Sequence, residues 1–113
     1  MSKITTHILD ISLGRPAAHV SVLLESQVSA GSWVEAGRGT TDPEGRLKDL
    51  AGEKALGPGF YRLTFDTGAY FAKHQVSTLY PQVTVIFEVK EGQEHYHIPL
   101  LLSPFGFSTY RGS

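Results

Sequence analysis

Histidine exchanges protons readily near neutral pH, because its ordinary pKa is about 6.5. This chain has five: His7, His19, His74, His95 and His97. His95 and His97 stand two apart in a run that alternates like a strand, so they point to one face. Tyr96, Ile98 and Leu100 share the other face, which is the expected core side. The two imidazoles then lie on the outer face, free to move protons or to chelate, since His-x-His is a known zinc arrangement. A catalytic zinc site needs a third protein ligand, and none is evident nearby; no metal is expected. His19 sits beside a turn and His74 on a short helical segment, and both are expected to have no catalytic role.

The run Leu100-Leu101-Leu102-Ser103-Pro104-Phe105-Gly106-Phe107-Ser108-Thr109-Tyr110-Arg111-Gly112-Ser113 does not fade into polar filler as most domain termini do. Its last four residues offer an aromatic hydroxyl, a guanidinium, a small residue and a serine hydroxyl beside the terminal carboxylate. By composition the tail is either part of a site or an ordinary edge strand ending in a polar turn. Pro104 and Gly106 predict a corner, with the tail re-entering the sheet as a new edge. Edge strands are templates for pairing with another copy, and Phe105 and Phe107 add apolar surface there.

These groups must be positioned by strands. Val20, Val22 and Leu24, then Tyr61, Leu63 and Phe65, then Val83, Val85, Phe87 and Val89 recur with period two. Turn signals separate them: Gly14-Arg15-Pro16, Ala30-Gly31-Ser32, Asp42-Pro43-Glu44-Gly45, Gly57-Pro58-Gly59 and Glu91-Gly92-Gln93. About eight strands are expected, near residues 3–10, 18–26, 32–40, 46–50, 59–66, 82–90, 94–102 and 106–111, which reads as an all-β sandwich. The segment Thr67–Gln75 breaks the pattern: Tyr70, Phe71 and His74 recur at helical spacing, and Thr67 is the expected N-cap of one short helix.

The chain of 113 residues is expected to form a single domain over 1–113. Its net charge of −1 does not supply the field that a nucleic-acid binder needs, and it does not oppose self-association. Cysteine is absent, so disulfide and thiolate chemistry are excluded. The N-terminus has no apolar signal-peptide core, and the longest apolar runs fall far short of the ~20 residues of a membrane span. A cytoplasmic protein without membrane contact is expected.

Four segments resemble one family. Thr5-Thr6-His7-Ile8-Leu9-Asp10, Gly14-Arg15-Pro16-Ala17, His95 through Pro104, and Tyr110-Arg111-Gly112-Ser113 look like the transthyretin-related proteins, the last being the signature of their 5-hydroxyisourate hydrolase branch. The resemblance covers essentially the whole chain. It implies an eight-stranded transthyretin-like β-sandwich with one short helix, assembled as a homotetramer, a dimer of dimers with active sites in the channel between dimers. It also implies, residue by residue, a catalytic set of His7, Arg46, His97 and Ser113, with Tyr110, Arg111 and Gly112 joining His7 and Arg46 in substrate binding. Glu44 stands where Asp is common and Phe107 where Tyr is common, and neither change removes a catalytic group.

The implied reaction is hydrolysis of the cyclic amide 5-hydroxyisourate in urate breakdown, with no cofactor. It needs a base for water, a cation for oxyanion charge and donors that hold the ring. His7 and His97 are expected to handle protons, Arg46 to bind the anionic face of the substrate, and Ser113 and Tyr110 to position substrate and water. Ser113 as nucleophile is the weaker alternative, because no Ser-His-acid arrangement is apparent. The rivals are a transthyretin-like carrier of small apolar ligands, which would line its channel with apolar or small residues, and a zinc hydrolase using His95 and His97.

Overall fold

The computed structural model describes residues 3–52, 56–92 and 94–113. Among them nine strands and one helix follow in order: β1 (Lys3–Asp10), β2 (Arg15–Pro16), β3 (Ser21–Ser29), β4 (Ser32–Thr40), β5 (Arg46–Leu47), β6 (Gly59–Phe65), α1 (Thr67–Lys73), β7 (Val83–Val89), β8 (His95–Ser103) and β9 (Gly106–Thr109). They form two facing sheets. One runs β2-β1-β8-β9, with β5 also pairing β1; the other runs β4-β3-β6-β7. The expected all-β sandwich with one short helix is the observed architecture. Among the described residues, no helix is long and apolar enough to cross a membrane.

The period-two residues close the core. Val22, Leu24, Leu63 and Phe65 of one sheet meet Ile4, Ile8, Leu100 and Leu102 of the other, all nearly inaccessible to solvent. Almost every ladder is antiparallel, but β1 and β8 run parallel over eight paired positions, from Lys3 opposite His95 to Asp10 opposite Leu102. This pair lies in the middle of its sheet. It puts Ile4, Thr6 and Ile8 on the inner face with Tyr96, Ile98 and Leu100, and puts Thr5 and His7 on the outer face with His97 and Pro99. Thr6 is a polar residue on the buried side, and its hydroxyl donates to the Ile98 carbonyl at 2.6 Å.

Four details differ from expectation. Arg15–Pro16, expected as a turn, forms a two-residue strand against Leu9 and Asp10. The strand expected over 46–50 shortens to Arg46–Leu47, paired with Thr6 and His7, because the chain turns away at once toward a buried Leu50. The tail leaves regular pairing at Thr109, and only an isolated bridge joins Gly112 to His97. The helix is capped by Asp66, not Thr67: the Asp66 carboxylate accepts from the Ala69 amide, while Thr67 is buried as the first helical residue. Asp beside Thr offers two capping oxygens, and sequence alone does not choose between them.

The helix is docked by Thr67 and Gly68, which donate to the Tyr80 and Pro81 carbonyls, and by a buried side-chain pair. Tyr70 donates its hydroxyl to Asp10 Oδ2 at 2.7 Å, while Asp10 Oδ1 accepts from Ser12 and Leu13. Burial alone would raise the Asp10 pKa, but the hydrogen bonds from Ser12, Tyr70 and Leu13 outweigh it and hold the carboxyl below its ordinary 3.8. Burial and the adjoining Asp10 push the Tyr70 hydroxyl far up, so it stays a donor. Tyr70→Phe should therefore cost about 1.5–3 kcal/mol in urea unfolding near neutral pH. The Asp10 contribution is fully present above its ordinary pKa of 3.8 and is lost as pH falls through the lower value that the folded carboxyl has, so the gap to wild type should narrow in acid.

Candidate active site

The outer face of the β1–β8 pair carries the chemistry. His7 pairs with Arg46 across β1 and β5, and Thr5 pairs with His97 across β1 and β8. An open cleft of about 340 Å³ on this face is lined by Lys3, Thr5, Thr6, Arg46, Lys48, His95, His97 and Ser113. Among the described residues no Asp or Glu side chain is in that lining. Three cations and two imidazoles therefore meet one polar hollow, an arrangement suited to an anionic or strongly polar ligand.

Each histidine is held by one ring nitrogen. His7 Nε2 lies 2.9 Å from the Glu44 carbonyl oxygen. A carbonyl only accepts, so Nε2 carries the proton and Nδ1 is the nitrogen left for chemistry. His97 Nδ1 lies 2.8 Å from the Thr5 hydroxyl, so its Nε2 is the nitrogen left over. Burial first, then the neighbouring His95, His7 and Arg46, hold the His97 pKa below the usual 6.5. His97 is therefore neutral at pH 7, as a general base must be.

Arg46 is aimed by the turn before it. Asp42 Oδ1 accepts from the amides of Glu44 and Arg46 at 2.8 and 2.9 Å, and Asp42 and Arg46 exchange a further backbone bond at 2.9 Å. The amide of Arg46 is the main reason the Asp42 carboxyl sits below its ordinary pKa. Gly45 has φ +77, and a Cβ there would strike the Ile8 carbonyl, whose own amide donates to Gly45. Glu44 takes part through its backbone amide and carbonyl. That explains why Glu serves where Asp is common.

The tail closes one side. Pro104–Phe105 makes the expected corner, and β9 returns antiparallel to β8, with Leu100 opposite Thr109. Pro99 has no amide proton to donate, and Thr109 Oγ1 bonds the Pro99 carbonyl at 2.7 Å. The same register carries on to the bridge between Gly112 and His97, where the Gly112 amide donates to the His97 carbonyl at 2.8 Å. By this alternation Tyr110 follows the face of Pro99 and His97, and Arg111 the opposite face.

Arg111 accordingly does not enter the cleft. Its guanidinium lies 4.4 Å from the centre of the Tyr96 ring and donates to the His95 carbonyl at 3.2 Å, beside a separate hollow lined by Phe87, Glu88, Lys90 and Ile98. Tyr110 is exposed and His7 half-buried; both stand on the same sheet face and lie outside the cleft lining. His97, Arg46 and Ser113 line the cleft together, while Gly112 touches it through the His97 ring.

His19, at φ +62, donates its amide to the Thr41 carbonyl, and His74 caps the helix with its ring 4.6 Å from that of Tyr70. Both lie in structural positions away from the cleft lining. The nitrogens with which His95 and His97 converge are both directed at Thr5 Oγ1. Sequence reasoning missed Thr5, Lys3 and Lys48. The signal was spacing: Thr5 and Lys3 share the parity of His7, and Lys48 shares that of Arg46.

Fold and cleft together define a transthyretin-like sandwich with a basic, histidine-bearing site on the outer face of one sheet. The HIUase/Transthyretin family matches residues 4–112, and the chain belongs to that family. It is 47% identical over 110 residues to a 5-hydroxyisourate hydrolase of Salmonella dublin, covering 97% of this chain and 80% of the relative. It is 44% identical over 116 residues to a 5-hydroxyisourate hydrolase of Halalkalibacterium halodurans, covering 98% of each. Among solved structures, Klebsiella pneumoniae 5-hydroxyisourate hydrolase superposes with a TM-score of 0.88 at 37% identity, covering 100% of both chains. Sea bream transthyretin in complex with thyroxine superposes at 0.90 and 33% identity, covering 96% of this chain and 93% of that one.

The contact between tail and imidazole gives a sharp expectation. A Cβ on Gly112 would lie 2.5 Å from His97 Cδ2, beside the nitrogen left for chemistry. Gly112→Ala must displace the ring or the tail, and misplacing a catalytic group by about 1 Å can cost up to ~100-fold. Steady-state kinetics should show a fall of at least about tenfold in kcat/KM, with thermal unfolding shifted by only a few degrees.

Proposed function

We propose that this chain, as a single domain over 1–113, hydrolyses 5-hydroxyisourate to 2-oxo-4-hydroxy-4-carboxy-5-ureidoimidazoline in urate breakdown. The observation that carries the reading is the cleft itself. A neutral His97, the guanidinium of Arg46 and the hydroxyl of Ser113 share a lining with no Asp or Glu side chain among the described residues, in a chain close in sequence to named hydrolases over nearly its whole length.

His97 takes a proton from water through Nε2, while Nδ1 stays on Thr5. The resulting hydroxide adds to a ring carbonyl, and negative charge develops on its oxygen. Arg46 meets that charge with a fixed planar cation, aided by the field of Lys3 and Lys48. The C–N bond then breaks, leaving a carboxylate on carbon and a proton to be delivered to nitrogen. The proton that His97 took from water is the one this nitrogen needs, delivered directly or relayed through Nδ1 of His7, which is anchored on Glu44 by Nε2 and otherwise orients the water. Ser113 and Tyr110 position the ring through their hydroxyls, and Gly112 lets the tail lie flat on His97. Arg111, pinned over Tyr96, serves the substrate by anchoring the tail. No cofactor takes part.

The working protein in this reading is a cytoplasmic homotetramer, a dimer of dimers, with the outer face of the β1–β8 sheet lining the channel between dimers. An imidazole-bearing face open in one chain becomes the wall of a shared site. Carriage of apolar ligands fits this cleft poorly, because an apolar molecule would strip water from Lys3, Arg46 and Lys48 without replacing their partners.

Generating 5-hydroxyisourate from urate and following its absorbance tests the proposal: the protein should accelerate the decay, and a rate equal to the spontaneous one would overturn it. His7→Ala, Arg46→Ala and His97→Ala should each lower kcat/KM by about 10²–10⁴ with the fold intact by circular dichroism. Full activity in any one removes that residue from the scheme.

A further inference from the structure

Thr5 Oγ1 lies 2.9 Å from His95 Nε2 and 2.8 Å from His97 Nδ1, and it makes no other hydrogen bond among the described residues. The hydroxyl has one proton to give. If it donates to His95 Nε2, then His97 Nδ1–H must donate to it, and His97 keeps a lone pair on Nε2. If it donates to His97 Nδ1, then His95 Nε2–H donates to it, and neutral His97 carries its proton on Nε2. A protonated His95 has a proton on both nitrogens and permits only the second arrangement, unless the Thr5 proton goes without a partner.

We propose that Thr5 joins His95 and His97 into one titrating unit, in which neutral His95 leaves Thr5 free to donate to it, so that His97 can keep Nε2 as its free base, and protonated His95 withdraws that base. One proton converts the first state into the second: it enters at His97 Nε2, the Nδ1 proton passes to Thr5 Oγ1, and the Thr5 proton passes to His95 Nε2. Charge then rests on exposed His95, better solvated than half-buried His97. Thr5 and His95 are positioning residues in this account, acting through His97.

The surroundings favour such sharing. The charged or titratable groups facing the pair are Lys3 and His7 from β1, Arg46 and Lys48 from the strand and turn beside it, and Ser113 with its terminal carboxylate from the tail, with Arg111 of the tail on the His95 carbonyl. Among the described residues no Asp or Glu side chain lines the cleft and no carboxylate is hydrogen-bonded to either ring, which favours one proton shared between them. Sites coupled this closely titrate as a pair and not as two residues. That the withdrawn nitrogen is the hydrolytic base rests on the function proposed above; the coupling itself does not.

Nitrogen-15 NMR of the histidine rings, which distinguishes the two tautomers, tests it without substrate. In the wild type and in Thr5→Ser, the Nδ1–H tautomer of His97 should be populated while His95 is neutral and be lost to Nε2–H as His95 is protonated. In Thr5→Val the His97 tautomer should no longer follow His95. In His95→Phe, an exposed change that spares the core, the tautomer step of His97 that follows protonation of His95 should be absent. An unchanged His97 tautomer through the His95 titration, or the same change in Thr5→Val, overturns the proposal. In turnover, Thr5→Val should lower kcat by about tenfold with KM little altered, and Thr5→Ser should restore it to within about threefold. Intact NMR coupling in a protein inert toward 5-hydroxyisourate would instead count against the assigned function alone.

Discussion

The site depends on the parallel pairing of β1 with β8. Parallel neighbours keep the same side-chain parity along their length, so each outward residue of β1 meets an outward residue of β8: Lys3 with His95, Thr5 with His97, His7 with Pro99. A slip of one residue in either strand would turn that strand's polar groups into the core and bring its apolar ones, Ile4 and Ile8 or Tyr96, Ile98 and Leu100, to the surface. Burial of those apolar residues therefore fixes the register, and the register fixes the distance between Thr5 and the two imidazoles. The polar face is held in place by the apolar one.

Other elements are hung on that pair. β5 is only two residues long, yet it is enough to set Arg46 beside His7, because the Asp42 turn and Gly45 lead the chain in with no freedom left. The tail reaches His97 by continuing the β8–β9 register past Pro99, and Arg111 clamps it from the other side of the sheet. One property follows from all of these placements. Cations surround an imidazole that remains neutral, so the cleft attracts a negatively charged ring and still has a base to offer it.

Much of this was readable in the chain before its structure. The alternation of Tyr61, Leu63 and Phe65 and of Tyr96, Ile98 and Leu100 is a direct image of a two-layer core, and the outward parity of His95 and His97 follows from it. Pro104 and Gly106 marked the corner that sends the tail back along the edge. What escaped was set by tertiary contact. Arg15–Pro16 becomes a strand only because Leu9 and Asp10 stand opposite, and Asp66 caps the helix because Thr67 is drawn inside. Arg111 reads as a ligand-binding group by type, yet its place in the register sends it to Tyr96. Thr5 looked like any strand threonine, since its meaning lies in two nitrogens some ninety positions away. The resemblance to a known family supplied the link between His7, Arg46, His97 and the tail, which spacing alone does not make.

The central claim is spatial: the outer face of the β1–β8 pair is where the ring is held and opened. A crystal structure with a hydrolytically inert, urate-like bicyclic analogue tests it most directly. The analogue should lie in the cleft, with a carbonyl oxygen on the Arg46 guanidinium and a ring carbon facing His97 Nε2, beside Ser113. An analogue seated instead in the hollow of Arg111, Tyr96 and Lys90, or elsewhere on the sandwich, would contradict the account.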